Sequence, residues 1–585
     1  MTDKTMTEDA VTDIRESADG ESGSGAATVV YPAKRVITMN PANPFAEAVA
    51  VRDGRVLAVG TVSEVRSWER PGEKFTIDTR FENKILLPGF IEAHSHVMAG
   101  GMWEMPYVGF FDRRDPNGQV WTGCGKFEDV EQRLIEADRE MTERGDDSGE
   151  ILLAWGLDPI YFEGDRVTRH HLDRVSDTRP IFVYHASGHL ATVNTPMLER
   201  AQITAEATTP GVSLGPDGQP DGELQEPPAM NLAREAFGKF RSNLAAPGAM
   251  QNYAREARNA GHTLVVDLGT SQLIVPEQME RWQASTAQDD FPCRAMVALS
   301  SMMGGPSNLE DLAAFGETLK DQETDKLRFG VVKLLLDGSI QGFTARISWP
   351  YYYDAPEGHP GNGQWLIPPD QFADIFGAFH RAGLTVHTHC NGDQATEVFV
   401  RAVEKVLAES PRPDHRHTVQ HCQLTTKAQY KRMAALGMCA NIFSNHIFYW
   451  GDQHRDITVG PERARGMDAC ATALREGVSF SIHSDAPITP LGHLHTAWCA
   501  VNRLTASGKV LGEEECISVM DALHAITLGA AWQLKLDHDM GSIESGKLAD
   551  FAVLEEDPLE IDPVRLKDIA VWGTVLGGVP QPAGT

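Results

Sequence analysis

Continuous runs rich in Val, Ile and Leu recur along the chain with helical text between them. They are Ile85 to Ile91, His262 to Leu268, Cys293 to Leu299, Gly330 to Leu336, Leu384 to His389, His417 to His421, Met438 to Phe443 and Val478 to Ile482. Apolar runs that do not alternate with polar residues belong to strands buried on both faces, as parallel strands are when crossover helices cover them. Eight such runs in alternation predict an α/β fold, a (β/α)8 TIM-type barrel. Pro180 to His185 reads equally well as a strand. It lies in a stretch of about residues 98–245 that is expected to be a large insertion after the first barrel strand, because loops at the C-terminal barrel face tolerate growth.

Residues 28–88 carry short β-rich runs separated by turns such as Arg52-Asp53-Gly54-Arg55, and residues 538–585 repeat that style. Each flank is too short to bury a core alone. The two chain ends are therefore expected to form one composite β-sandwich domain, which leaves 89–537 for the barrel. The first 27 residues are acidic, Gly/Ser-rich and lack an apolar h-region, so they read as a disordered acidic tail and not as a secretory signal.

Charge narrows the partners. With 82 acidic against 52 basic residues the formal net charge is −30, which repels phosphate backbones and anionic headgroups. No run of 18 apolar residues occurs. The expected partner is a small-molecule substrate, with no nucleic acid and no membrane. Eight cysteines without a C-x-x-C pair indicate neither a zinc ribbon nor a disulfide framework, and reduced thiols in a cytoplasmic protein are expected.

The sharpest local signal is Pro88-Gly89-Phe90-Ile91-Glu92-Ala93-His94-Ser95-His96. Side chains two apart on a strand share a face, so His94 and His96 can present two imidazoles to one metal ion while Ser95 points away. Other apolar runs end in ligand-type residues: Lys333, His387 and His389, His421, and Asp485. A lone strand-end His is usually structural. Together, however, these residues are what a metal site at the C-terminal barrel face requires and what a packed core would not choose. GSIESGKL from Gly541 misses the P-loop pattern at Leu548, and neither a G-x-S-x-G elbow nor an H-E-x-x-H helix is present.

These residues resemble the metal-dependent amidohydrolase superfamily, and more narrowly its amidohydrolase-3 branch, which includes YtcJ-like proteins and N-substituted formamide deformylase. The resemblance runs nearly end to end. It rests on His94-Ser95-His96 after Pro-Gly-Phe, Lys333 with Asp337-Gly338-Ser339, His389-Cys390-Asn391-Gly392-Asp393, GHLATVNTP from Gly188, DGQPDGELQE from Asp217 and GKLADFAVL from Gly546. It implies one or two divalent transition metal ions per chain, usually zinc, with His94 and His96 on one ion and His389 and His421 on the other. Lys333 would carry a CO2-derived carbamate bridging the two, and Asp485 would contact metal and act as base. A hard carbamate oxygen suits divalent ions, whereas an ammonium would be repelled. By the same resemblance His189 and Asn194 meet the substrate, His189 as a donor to its carbonyl oxygen.

Two positions depart from the branch: Glu92 stands where Asp is usual, and His483 where Gly is usual. His483 is expected to narrow the pocket or touch substrate. The aromatics nearest His96, Trp103 among them, are expected to line an apolar pocket. The implied activity is hydrolysis of a C–N bond of an amide, N-substituted formamide or related cyclic amide or carbamate by a homodimeric enzyme, on a substrate with an apolar or aromatic group. Two other readings stay open at this point. One is a deaminase of the superfamily with a single ion, which would not need Lys333. The other is a catalytically silent regulatory homologue.

Overall fold

Each of the apolar runs becomes a parallel strand, and burial on both faces explains why the runs do not alternate. In the computed structural model, which describes residues 27–71, 73–162, 166–269, 272–300, 309–356 and 361–584, these strands are β1 (Phe90–Ser95), β2 (His262–Asp267), β3 (Arg294–Val297, resumed at Leu299–Ser300), β4 (Val331–Leu335), β5 (Thr385–Cys390), β6 (Thr418–His421), β7 (Cys439–Ile442) and β8 (Ser479–Ile482). The tail expected over 1–27 lies outside the described residues, Ala27 excepted. The first part of β3 pairs with β2, which pairs with β1; the resumed part pairs with β4, and the ladder continues in order to β8, every pair parallel. Among the described residues no ladder joins β8 to β1. That seam is crossed by the His96 N–H donating to the Ala486 carbonyl at 2.8 Å and by the Ser484 N–H and hydroxyl donating to the Glu92 carboxylate.

The first run, read as one strand from Ile85 to Ile91, is in fact split. Ile85–Pro88 belongs to the terminal sheet and only Phe90 onward to the parallel layer. Gly89 makes the transition possible: a Cβ there would lie 1.9 Å from Thr263 Oγ1. The chain ends do pair, but as one hydrogen-bonded sheet where two stacked sheets were expected. Ile85–Pro88 is the reason, since it has a partner on each edge, parallel to Thr28–Ile37 and antiparallel to Phe551–Leu554. The sheet curls so that the Tyr31 hydroxyl donates to the Gly578 carbonyl at 2.9 Å, closing an apolar cluster that includes Tyr31, Val49, Val51, Phe551, Val553 and Val575. Arg294 of β3 ties this sheet to the parallel layer through a buried pair with Asp550, Nε to Oδ2 at 2.7 Å.

The stretch after β1 forms its own five-stranded sheet, which includes Leu152–Leu157, Ile181–His185 and Leu190–Val193, with separate apolar cores. From it His189 reaches the His389 ring of β5, and Glu226 lies against Gly338, which follows β4. No helix among the described residues is long and apolar enough to cross a membrane. None of the eight cysteines is in a disulfide.

Candidate metal centre

Strand pleat sorts the end of β1. The Ser95 hydroxyl turns to the neighbouring strand and donates to the Val266 carbonyl at 2.8 Å, while His94 and His96 face the carboxylate that follows β8. Asp485 Oδ1 lies 3.1 Å from His96 Nε2 and 3.3 Å from His94 Nε2, and its Oδ2 lies 3.7 Å from His421 Nδ1. Lys333 reaches in from β4, with Nζ 3.4 Å from His94 Nε2. Its stem has room because the neighbouring residue is Gly269, where a Cβ would sit 3.0 Å from Lys333 Cγ. The His389 ring is 4.5 Å from that of His421 and 5.0 Å from that of His189.

Hydrogen bonds beneath the cluster set the tautomers. Gln420 Oε1 receives Asn441 Nδ2 at 2.9 Å and lies 2.7 Å from His94 Nδ1, so that nitrogen carries the proton. His94 therefore presents the lone pair of Nε2 to Lys333 and Asp485. The amide orientation follows from its other end, where Gln420 Nε2 donates to His387 Nδ1 at 2.7 Å. Ser481 Oγ donates to Asn441 Oδ1 at 2.7 Å and completes the chain. His389 Nε2 lies 3.1 Å from both the Gly338 carbonyl oxygen and Asn391 Nδ2, which hold the ring in place. Bonds of this kind, one layer behind a ligand, orient the ring and raise its basicity.

Burial lowers the pKa of His94 and His421 well below the usual imidazole range, with further lowering from neighbouring charges, Lys333 among them. The neutral imidazole is the form a metal binds. Burial likewise brings Lys333 down to about 7. For Asp485 burial works the other way, but the hydrogen bond from His96 and the charges of His96, His483 and Lys333 prevail and hold its carboxyl below the ordinary value. His421 and Asp485 sit in left-handed backbone, at φ 72° and 54°. Such conformations in non-glycine residues cost roughly 1–3 kcal/mol and concentrate at functional sites.

The remaining expected site residues divide. His189 closes over His389, and its Nδ1 pairs with Glu226 Oε2 at 2.8 Å. Burial opposes its charged form, yet the Glu226 carboxylate outweighs burial and the pKa is raised. Asn194, expected to meet substrate, has its amide engaged within the insertion. Its Oδ1 accepts from Ile181 N and Met197 N while its Nδ2 donates to the Ser176 and Arg179 carbonyls, so the amide is spent on capping the helix Thr195–Ala201. Trp103 packs against Tyr107, Trp121 and Trp155 inside the insertion's own core. His483, expected at the substrate, lies fully buried within the histidine cluster, stacked on His94 with centroids 4.7 Å apart.

Sequence reasoning missed Gln420, Asn441 and Glu226. Gln420 stands beside His421 in the text, but a glutamine next to a histidine carries no signal until the strand register brings it under His94. Glu92 turns out to brace the seam, accepting from the His94 N–H at 3.1 Å and from Ser484.

Both ring nitrogens of His421 and of His483 are buried without a hydrogen-bond partner. Unsatisfied buried donors and acceptors cost about 1–3 kcal/mol each, so a cluster of them calls for a ligand. Ligand atoms of His94, His96 and Asp485, and again of His94, His421 and His483, lie within 4.8 Å of one another. These residues fit a divalent metal ion.

The model of the amidohydrolase family matches residues 81–581. The chain belongs to the amidohydrolase family. It is 26% identical over 534 residues to the protein LONG AFTER FAR-RED 3 of Arabidopsis thaliana, covering 89% of this chain and 85% of that protein. Identity is 24% both to YtcJ of Bacillus subtilis (strain 168), covering 93% and 97%, and to the N-substituted formamide deformylase of Arthrobacter pascens, covering 93% and 96%. An uncharacterized metal-dependent hydrolase of Pyrococcus horikoshii OT3 shares its fold, with TM-score 0.67 and 21% identity, covering 92% of this chain and 99% of that one. The amidohydrolase-3 resemblance is thereby met, and with it the expectation of a metal-dependent enzyme acting on C–N bonds.

Proposed function

We propose that this amidohydrolase cleaves the C–N bond of an amide or N-substituted formamide at the cluster of His94, His96, Lys333, His389, His421 and Asp485. The observation that carries the reading is the meeting of His94, His96, Lys333 and His421 around the Asp485 carboxylate, each from the end of a different run except the first two. In this reading the eight parallel strands close into a (β/α)8 barrel, with the site at their C-terminal ends. His94 and His96 would hold one ion, and His389 and His421 a second. Lys333, whose pKa burial brings down to about 7, would bridge them as a carbamate. Zinc suits the imidazole and oxygen donors. A divalent ion there supplies Lewis acidity that polarises a carbonyl and acidifies water near neutral pH.

The chain's own residues do the rest. The Asp485 carboxylate, held ionised, accepts a proton from the attacking water and returns it to the departing amine. His189 is oriented by Glu226 through Nδ1, which leaves Nε2–H for the substrate carbonyl oxygen. Phe110, Phe111, Tyr161, Trp450, Ile488 and Pro490 line a cavity of about 30 Å³, room for about one water, beside the segment that follows Asp485.

Lys333 favours this reading over a single-ion deaminase, because its Nζ lies among the ligand atoms. The test is one preparation assayed three ways. Purified protein is expected to hold one to two equivalents of transition metal by elemental analysis, to lose activity on chelation, and to release amine from a panel of amides, formamides, lactams and carbamates. Full activity in metal-free protein sinks the proposal.

A further inference from the structure

A second group of ligand-type side chains lies one pleat below His94 and takes no part in the chemistry proposed above. Glu92 shares a face of β1 with His94, His262 opens β2, and His493 opens the helix His493–Asn502 that follows β8. All three are fully buried, and one ligand-type atom from each lies within 4.8 Å of the others. The two imidazole rings stand 4.5 Å apart, with the Phe90 ring against both at 6.0 and 6.4 Å between centroids.

The hydrogen bonds of this group leave three ring nitrogens without partners. The His493 Nε2–H donates to the Ile91 carbonyl at 2.7 Å, so Nδ1 is the lone-pair nitrogen, and nothing donates to it. It faces Glu92 Oε2 at 3.8 Å, one acceptor set against another. Neither nitrogen of His262 has a partner; the Ala257 carbonyl is near enough to pull on the ring but outside hydrogen-bond geometry. The His94 N–H, the Ser484 N–H and the Ser484 hydroxyl hold the Glu92 carboxylate in place, and its one ion-pair contact among the described residues is His493. An imidazolium at His493 would not resolve this, because Nδ1 is beyond hydrogen-bond reach of Oε2 and His262 would stay unpartnered. A buried carboxylate calls for a cation, and buried lone pairs without donors are costly.

We propose that Glu92, His262 and His493 hold a divalent metal ion of the zinc class, at a site separate from the cluster around Asp485. Two imidazole nitrogens and one carboxylate oxygen make a His2Glu zinc set, with a water in the fourth position. Ligand atoms on a tetrahedral zinc stand about 3.3 Å apart, so the 3.8 Å between Glu92 Oε2 and His493 Nδ1 closes with about half an ångström of movement. The bond from His493 to the Ile91 carbonyl is of the kind by which a metal-binding histidine fixes its other nitrogen. The ion's role is structural. It joins β1 and β2 to the helix after β8, across the seam where, among the described residues, no ladder links β8 to β1. Burial of all three ligands keeps substrate away.

The test counts zinc. Full-length wild type, His262→Leu and His493→Gln are stripped with chelator, reloaded with zinc chloride, gel-filtered and analysed for bound metal. Wild type is expected to hold one equivalent more than either variant, in addition to those bound at the cluster around Asp485. His96→Ala, which disables that cluster, is expected to keep this equivalent, and His96→Ala/His262→Leu to lose it. Equal zinc in wild type and both variants overturns the site. Zinc is also expected to raise the melting temperature of wild type more than that of His262→Leu. A gap between the two that is the same in zinc and in chelator marks the ring as a packing residue and overturns the site. If His262→Leu does not fold, His493→Gln decides on both readouts. A zinc difference without amine release keeps this site and defeats the hydrolase reading, and metal-dependent amine release without a zinc difference does the reverse.

Discussion

At the scale of single residues, the site depends on which atom each side chain turns toward Asp485. His94→Ala or His96→Ala is expected to lose metal and activity together, whereas Ser95→Ala keeps most of both because Ser95 Oγ serves the Val266 carbonyl. Equal losses at all three positions would refute the division of faces. Asp485→Asn keeps an oxygen near the ion but removes the base, so turnover should fall at least about 10²-fold with little change in metal content. The fall should be smaller for activated anilides, whose departure needs less proton donation. Parallel plots of kcat/KM against leaving-group pKa for mutant and wild type, at full metal, would rule out the shuttle. Gln420→Leu tests the layer behind the ligands. It takes the acceptor from His94 Nδ1, and metal affinity should drop about 10–100-fold in competition with a chelating dye.

At the scale of elements, several strand ends approach one another more closely than side chains allow, and glycine makes the approach possible. Gly269, just beyond β2, has φ 110° and leaves the space that Lys333 Cγ fills. Gly269→Ala combines a strained backbone, about 1–3 kcal/mol, with a push on the Lys333 stem. Its melting temperature and its metal content are expected to fall together. A variant as stable and as metal-rich as wild type would show that Lys333 is not held in place from that side. The same logic explains the split of the first apolar run at Gly89. The text Ile85 to Ile91 is uniformly apolar because both sheets bury it, so nothing in its composition marks the point where it changes partners.

At the scale of the whole molecule, the chain ends and the parallel layer are joined by a buried ion pair. Arg294 and Asp550 are both nearly inaccessible, and Asp550 also accepts the Gly577 N–H at 2.7 Å. Asp550→Ala leaves the guanidinium buried with only Asp325, half its carboxylate partners, and removes the acceptor of the Gly577 turn. Breaking a buried pair from one side costs about 3–5 kcal/mol. Urea unfolding should show a loss of that order, with the segment after residue 550 cut early by protease. Metal bound per folded molecule should hold, since none of the ligands touches this contact. A loss below about 1 kcal/mol would mean that the terminal sheet is held by apolar packing alone.

The sequence by itself determined the alternation of apolar strands and helices, the pairing of the chain ends, and the candidate ligand residues at the strand ends. Those are local signals: burial on two faces removes alternation, and a histidine at i and i+2 of a strand must share a face. It did not determine the hydrogen-bonded layer under the candidate ligands, the helix-capping role of Asn194 or the burial of His483 within the histidine cluster. Each of those depends on register between strands far apart in the chain, as Gln420 meets His94 across 326 positions. Nor did composition tell one curled sheet from two stacked ones, because an apolar strand looks the same whether its second partner is on the next edge or across a core. Only the tertiary structure decides which neighbours a buried polar atom finds, and those neighbours decide what that atom does.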